Sequence, residues 1–451
     1  LYTSTLNIDK NNFGPRIGVA WAPTKTTVVR AGYGMFYGKT SNSTFYALRV
    51  ENGVYQQTFV CTVTSCPALT FPNLIFTPPG ATPQAPFAGA LTPHVTSFTP
   101  PAGTQLAHGL VPDFVNPLVH EGELTIEQQL PGGMSFSVGY LFARGLHLPV
   151  FIDANISPAT TTRTYAILSA PSNGTVAQTI TEPFYTTRLN PATGVILNGY
   201  SIANSWYNGL VATLRHPMTH GFEALVNFTW SKAEDDGAVA GANGTFFGTD
   251  PPLDPYNQKQ ENSLSDLNQK LRFVGSLVYN PHFKVSGVAN QIANGWFLST
   301  IVTASTGQPV FATISGFPSG GVDSGVTGGE ITNTGGTTGG RPPQVGRNVY
   351  TQPGLTNVDF RIMRQFTIRE RFHLQALGEA FNIFNHTNIS SVNGTAFNYA
   401  AAGSATCPAA LAGSSIGCII PNAAFLQPFG TTSTNGLYGA RQLQMSLKLT
   451  F

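Results

Sequence analysis

The sequence predicts an all-β chain, a transmembrane antiparallel β-barrel with about eleven wall strands and long extracellular loops. Three observations carry that expectation. First, the final residues alternate. Leu443, Met445, Leu447, Leu449 and Phe451 fall on one side of a two-residue period, and Gln442, Gln444, Ser446, Lys448 and Thr450 on the other, as in a strand with one apolar and one polar face. The run is as long as a tilted strand that crosses a bilayer, roughly 9–11 residues. Second, charged residues make up 10% of the chain, against roughly 25% in soluble proteins, which leaves little charge to cover a soluble globule of 451 residues. Third, short turns alternate with long loops. A soluble sandwich has no reason to gather its long loops at one end, whereas outer-membrane barrels turn short on the periplasmic side and loop long outside.

The strands follow in order. Residues 15–22 lead through a turn at Pro23–Thr26 into 27–37, where Val29, Ala31, Tyr33, Met35 and Tyr37 oppose Arg30, Gly32 and Gly34. Residues 39–118, rich in Pro, Thr and Gly, read as a long loop. Strands 120–130 and 134–144 flank Pro131-Gly132-Gly133, a tight hairpin signal. A second long loop is expected from 145 to 204. Strands 205–215 and 221–231 are expected to turn around Pro217, with Phe222, Ala224, Val226, Phe228 and Trp230 facing one way. Strands 269–280 and 295–306 come next, then a Gly/Thr/Ser tract at 315–343. Strands 357–368 and 372–384 precede a last loop, 385–440, and the terminal strand 441–451. Arg364 interrupts the apolar face of 357–368, but near the short-turn end, where an interfacial Arg costs only roughly 0–1 kcal/mol. Phe381 and Phe384 place aromatics at the opposite rim, as an interfacial girdle requires.

No uninterrupted apolar run is long enough for a membrane-spanning helix, and a net charge of +2 gives no nucleic-acid footprint. The chain begins at Leu1 without an initiator Met, so a fragment or a processed product is expected. The cysteines form two local pairs, Cys61 with Cys66 and Cys407 with Cys418. Neither pair has the histidine partners of a zinc site, and two disulfides in an oxidising compartment are expected; the alternative is small loop residues.

Several strings, in order along the chain, resemble TonB-dependent outer-membrane receptors of the Oar-like group, which carry a carboxypeptidase-regulatory-like N-terminal domain. They include Asn12-Phe-Gly-Pro-Arg-Ile-Gly-Val-Ala-Trp21, Arg30-Ala-Gly-Tyr-Gly-Met-Phe-Tyr37, Gln129-Leu-Pro-Gly-Gly133, Phe228-Thr-Trp-Ser-Lys232 and Ser305-Thr-Gly-Gln-Pro309. The longest is Glu370-Arg-Phe-His-Leu-Gln-Ala-Leu-Gly-Glu-Ala-Phe-Asn-Ile-Phe-Asn-His386, and the terminal Phe451 completes the set. The resemblance implies residence in the outer membrane of a Gram-negative bacterium and import of a scarce, unidentified extracellular substrate. TonB would supply the energy through an N-terminal box and a plug that this chain lacks. It also implies no cofactor and no catalytic residue, and insertion by the barrel-assembly machinery through Leu443, Met445, Leu447, Leu449 and Phe451. Eleven strands cannot close a bacterial barrel, which takes an even number. Because plugged transporters have 22, the chain is expected to be the C-terminal half, with the plug upstream. A passive porin or an adhesion barrel is the alternative, and a soluble secreted β-sandwich that binds carbohydrate a third reading.

Other motifs carry less. Gly32-x-Gly34 lies in a strand instead of opening a helix, so it is no dinucleotide site. Asp323-Ser324-Gly325 sits in a Gly/Thr tract without the His and Asp context of a nucleophile. His216 and His220 read as turn residues, not metal ligands. Glu234-Asp235-Asp236 reads as a solvated acidic rim, with Ca²⁺ ligation the alternative.

Overall fold

The computed structural model describes residues 9–39, 46, 48–56, 58–59, 102–172, 174–237, 252–316, 318, 321, 340–369, 372–408, 417–431 and 438–450. Eleven wall strands form one antiparallel path. They are β1 (Arg16–Trp21), β2 (Thr27–Tyr37), β3 (Leu118–Gln129), β4 (Ser135–Asp153), β5 (Val195–Thr219), β6 (Phe222–Asp235), β7 (Leu271–Tyr279), β8 (Trp296–Ser305), β9 (Leu355–Arg369), β10 (Phe372–Phe381) and β11 (Gln442–Thr450). Each pairs with the next in the chain, so every strand read from the sequence is present in its expected place.

Residues directly opposite one another across a ladder share a face, and the register therefore sorts the wall into two surfaces. One row runs Val19, Ala31, Leu124, Tyr140, Leu210, Trp230, Leu271 across seven strands. On the other face a row runs Glu127, Ser137, Thr213, Asn227, Val274, Thr303, Asn357. There Thr213 Oγ1 donates to Asn227 Oδ1 at 2.9 Å, and Arg361 and Glu379 pair at 3.7 Å. The apolar face is open to its surroundings: Trp21 is 62% exposed and Met445 89%. Water would penalise such a face by about 25 cal/mol per Å²; hydrocarbon does not. Arg364 at the short-turn end lies 4.8 Å from the Trp296 ring and 4.5 Å from that of Phe366, so aromatic faces screen the one cation on that strand's lipid side. The register sets Phe381, which pairs with Gln442, on the polar face. Phe384, 76% exposed just past β10, is left as the rim aromatic.

The turns differ from expectation in two places. The β5–β6 hairpin turns at His220 (φ 52°) and Gly221 (φ 78°), not around Pro217. Two successive left-handed residues make the primed turn that matches strand twist, and a Cβ at Gly221 would collide with the Asn280 carbonyl. Pro217, which has no N–H to give a ladder, sits where the register slips between Phe222 and Ala224. The β7–β8 connection holds a helix, Gly287–Ala293, and the Trp296 indole donates to the Ile292 carbonyl at its end.

Above the wall the loops are folded. The second loop does not begin at 145: β4 continues to Asp153 and β5 starts at Val195, paired through a break near His147 and Leu148. Strand Gln105–Leu110 lies parallel beside the top of β5. Five short strands from three separate loops join in one sheet, in the order Thr313–Ser315, Thr395–Ala401, Gly417–Pro421, Thr161–Leu168, Val176–Phe184. The buried apolar side chains concentrate here and at the wall's upper end, not along its membrane-crossing length.

The two faces predict an asymmetry on β11. Leu447→Arg should place a cation in hydrocarbon at a cost of roughly 2–4 kcal/mol and lower the folded fraction in vesicles, scored by heat-modifiable migration. Gln444→Arg, on the polar face, should fold like the parent. Equal yields from the two variants would contradict the assignment of faces.

Candidate functional site

The candidate site is the extracellular cap together with a cavity at the upper end of the wall. Ala166, Leu168, Ile420 and the Cys407–Cys418 disulfide pack into one buried cluster. Tyr165, Ile167, Ile314 and Ile419 pack into a second on the opposite side of the sheet. The alternation of Thr161–Leu168 thus feeds two cores, as a strand buried on both faces must. Burial raises the Tyr165 phenol against the opposing pull of Arg163. Burial also raises the Glu182 carboxyl, and Asp254 adds to the effect.

A charged lock fastens the loop after β8 to the top of β6. Asp235, Glu261, Arg341 and Arg347 are all buried, each at 3% exposure or less. Arg341 Nη1 donates to both Glu261 carboxylate oxygens at 2.7 and 2.5 Å. Arg347 bonds the Asp235 carboxylate, donates to the Asp235 carbonyl at 2.9 Å and to the Glu261 carbonyl at 3.2 Å. Desolvating four charges is costly unless each is paired and hydrogen-bonded, and here the guanidiniums bridge two loops. A second tie is uncharged: Asn155 Nδ2 donates to the carbonyls of Asn190, Thr193 and Gly194. This holds the loop between β4 and β5 closed on its own base.

Toward the upper end of β4, β5 and β6 a cavity of about 840 Å³ opens on the polar face of the wall. Leu141, Ala143, Tyr207, Val211, Thr229 and Ser231 from β4, β5 and β6 line it, with Leu148, Pro149 and Ala203 and with Asp235, Ser265, Gln269 and Arg272. A pocket with apolar walls and a few hydroxyl, amide, carboxylate and cationic groups fits an amphipathic ligand.

The residues singled out from sequence are distributed unevenly. Cys407 and Cys418 are fully buried in the cap, while Cys61, Cys66, Phe451 and Asp323-Ser324-Gly325 lie outside the described residues. Leu443, Met445, Leu447 and Leu449 are exposed on one face of β11. His216 is held by its own hairpin, with Nδ1 3.1 Å from the Phe222 carbonyl oxygen and its ring 5.2 Å from that of Phe222. No metal-ligating cluster occurs among the described residues. The acidic run is a correction: it is not a solvated rim. Asp235 is inside the lock, and Asp236 accepts from the Asn204 backbone and side chain at 2.5 and 3.0 Å. Glu234 and Asp236 are half-buried, and Glu234 pairs with Lys232 at 2.7 Å. Glu261, Arg341 and Arg347 escaped the sequence reading because their partners lie up to 112 positions away.

The sequence pattern of the outer membrane beta barrel domain matches residues 2–444. The chain belongs to that family. It is therefore a β-barrel domain of the outer membrane of a Gram-negative bacterium. Similar solved structures include YddB, an outer-membrane transporter of Escherichia coli, at 8% identity and a TM-score of 0.46. Fiu, the ferric-catecholate import receptor of E. coli, stands at 9% and 0.40, and the ferripyoverdine receptor of Pseudomonas aeruginosa at 10% and 0.42. They cover 97%, 96% and 97% of this chain, which in turn spans 40%, 34% and 33% of theirs. No curated protein sequence matches the chain.

Removing one partner of a buried, hydrogen-bonded ion pair typically costs roughly 3–5 kcal/mol. Arg341→Ala should therefore accelerate amide hydrogen exchange across residues 258–266 by orders of magnitude while exchange in β3 and β4 stays as in the parent. Unchanged protection in 258–266 would show that the lock does not hold the cap.

Proposed function

We propose that this chain supplies the wall and the substrate-binding loops of a TonB-dependent importer, and that it is the C-terminal half of a larger barrel. The observation that carries the reading is the folded cap. Three separate loops interlock in one sheet at the extracellular end of the wall, which suits capture of a ligand before passage and would obstruct a free pore. Closure supports the half-barrel. Eleven antiparallel strands leave β1 and β11 running in the same direction, each with one neighbour among the described residues. Pairing them directly would make a parallel seam in an otherwise antiparallel wall. An odd number of further strands resolves this, and eleven would bring the total to the 22 of plugged transporters.

On this reading a plug and a TonB-contacting segment precede the wall, as in the Oar-like receptors whose strings the sequence resembles. The ligand is scarce and amphipathic, and the cap closes on it from outside. The apolar side of β11, with Leu443, Met445, Leu447 and Leu449, followed in sequence by Phe451, is the segment presented to the barrel-assembly machinery.

A passive porin is the competing reading, and conductance separates the two. The intact protein in planar bilayers with KCl should show no steady ion current, because a plug fills the lumen. It should also bind the soluble periplasmic domain of TonB. A stable open conductance without TonB binding would favour the porin.

A further inference from the structure

The lipid-facing side of the wall should be apolar throughout, yet near its extracellular edge it carries polar groups in a compact group. Opposite one another on β3, β4 and β5 stand His120, Arg144 and Trp206, and one row below, on β4 and β5, Phe142 and Asn208. Two hollows open there, of about 480 and 550 Å³, and they share Tyr140 and Asn208 as the ridge between them. Arg144 lines the first, Lys232 and Lys270 the second, and no carboxylate lines either. Tyr140 Oη donates to Asn208 Oδ1 at 2.6 Å, which leaves the Asn208 NH₂ group without a protein partner among the described residues. Arg144 lies 6.0 Å from the Trp206 ring. The Lys232 side chain is 60% exposed, and Glu234 takes up part of its charge.

Height fixes the environment. Arg144 lies about ten residues beyond the short turn. At about 3.3 Å per residue and a tilt of about 40°, that is about 25 Å, the height of the apolar band. These cations therefore stand at the outer headgroup level, above a smooth apolar surface of Leu124 and Leu210. We propose that the two hollows form a binding site for a phosphate-bearing lipid headgroup of the outer leaflet. Arg144, Lys232 and Lys270 meet the phosphates, the Asn208 amide and the aromatic rings receive the polar headgroup, and the acyl chains run down the apolar rows below. Arg144, on the lipid face, has no carboxylate partner among the described residues, nor has Lys270, while Glu234 offsets only part of the Lys232 charge. The group therefore needs an anion from outside the protein, and a phosphorylated headgroup brings one at this height.

The test uses the intact protein purified in detergent and mixed with vesicles of phosphatidylethanolamine, with or without a diphosphorylated glycolipid. Retained lipid is counted by native mass spectrometry. The parent should keep the phosphorylated lipid and release phosphatidylethanolamine. Each cation removed near a charged lipid surface weakens binding about fivefold. Arg144→Gln with Lys232→Gln should therefore lose about 25-fold in retention, while Arg361→Gln on the lumen face should lose none. Heat-modifiable migration confirms that each variant is folded; if the double variant fails that check, Lys232→Gln alone, at an exposed position, should lose about fivefold. Equal retention by a folded variant and the parent would overturn the site. So would displacement of the lipid by inorganic phosphate at equal phosphate concentration, which would mark a free-anion site.

Discussion

A bilayer interior offers no partner for a backbone N–H or C=O, and an unsatisfied group there costs several kcal/mol. The rest of this structure depends on that constraint. It dictates a wall in which every strand lies against a neighbour, and it makes the two edges, β1 and β11, the places where the described sheet is incomplete. It also explains why residues as different as Trp230 and Thr229 can follow one another along β6. With the backbone satisfied by the ladder, each side chain answers only to the medium on its own face. The result is an apolar row seven strands wide on one side and a row of Glu, Ser, Thr and Asn on the other.

The constraint ends where the strands leave the membrane. There water competes for hydrogen bonds, and the loops need a core of their own to stay ordered. They build it from pieces: Thr161–Leu168 from one loop, Thr313–Ser315 from another, and Thr395–Ala401 and Gly417–Pro421 from a third. Both buried clusters of the sheet draw residues from more than one loop. The buried lock of Asp235, Glu261, Arg341 and Arg347 adds a connection in which each charge depends on a partner from a distant loop. A cap built from shared parts rearranges as a unit or not at all.

The wall was legible in the sequence because its signal is local. A two-residue period in Phe222–Trp230 needs no knowledge of what lies beside it, and Pro131-Gly132-Gly133 names its own turn. Pro217 misled because a turn residue in a long strand marks a bulge as readily as a hairpin tip, and His220-Gly221 is the pair with the needed left-handed geometry. The cap was not legible. Thr161–Leu168 and Gly417–Pro421 do show short β-rich runs, but nothing local says that they lie side by side, in parallel. Glu234-Asp235-Asp236 reads as a solvated rim until Arg347 is brought to it. Exposure of a charge is a tertiary property, and the sequence alone cannot supply its partner.

The account stands or falls on the two faces of the wall meeting two different media. Spin labels placed one at a time along β6, from residue 222 to residue 231, in the intact protein reconstituted into vesicles, test this directly. Collision with oxygen, which concentrates in lipid, and with a water-soluble nickel chelate should alternate along the strand. Even-numbered positions should favour oxygen; odd-numbered positions should favour the chelate or be shielded from both. Chelate access at even and odd positions alike would contradict a membrane-embedded wall.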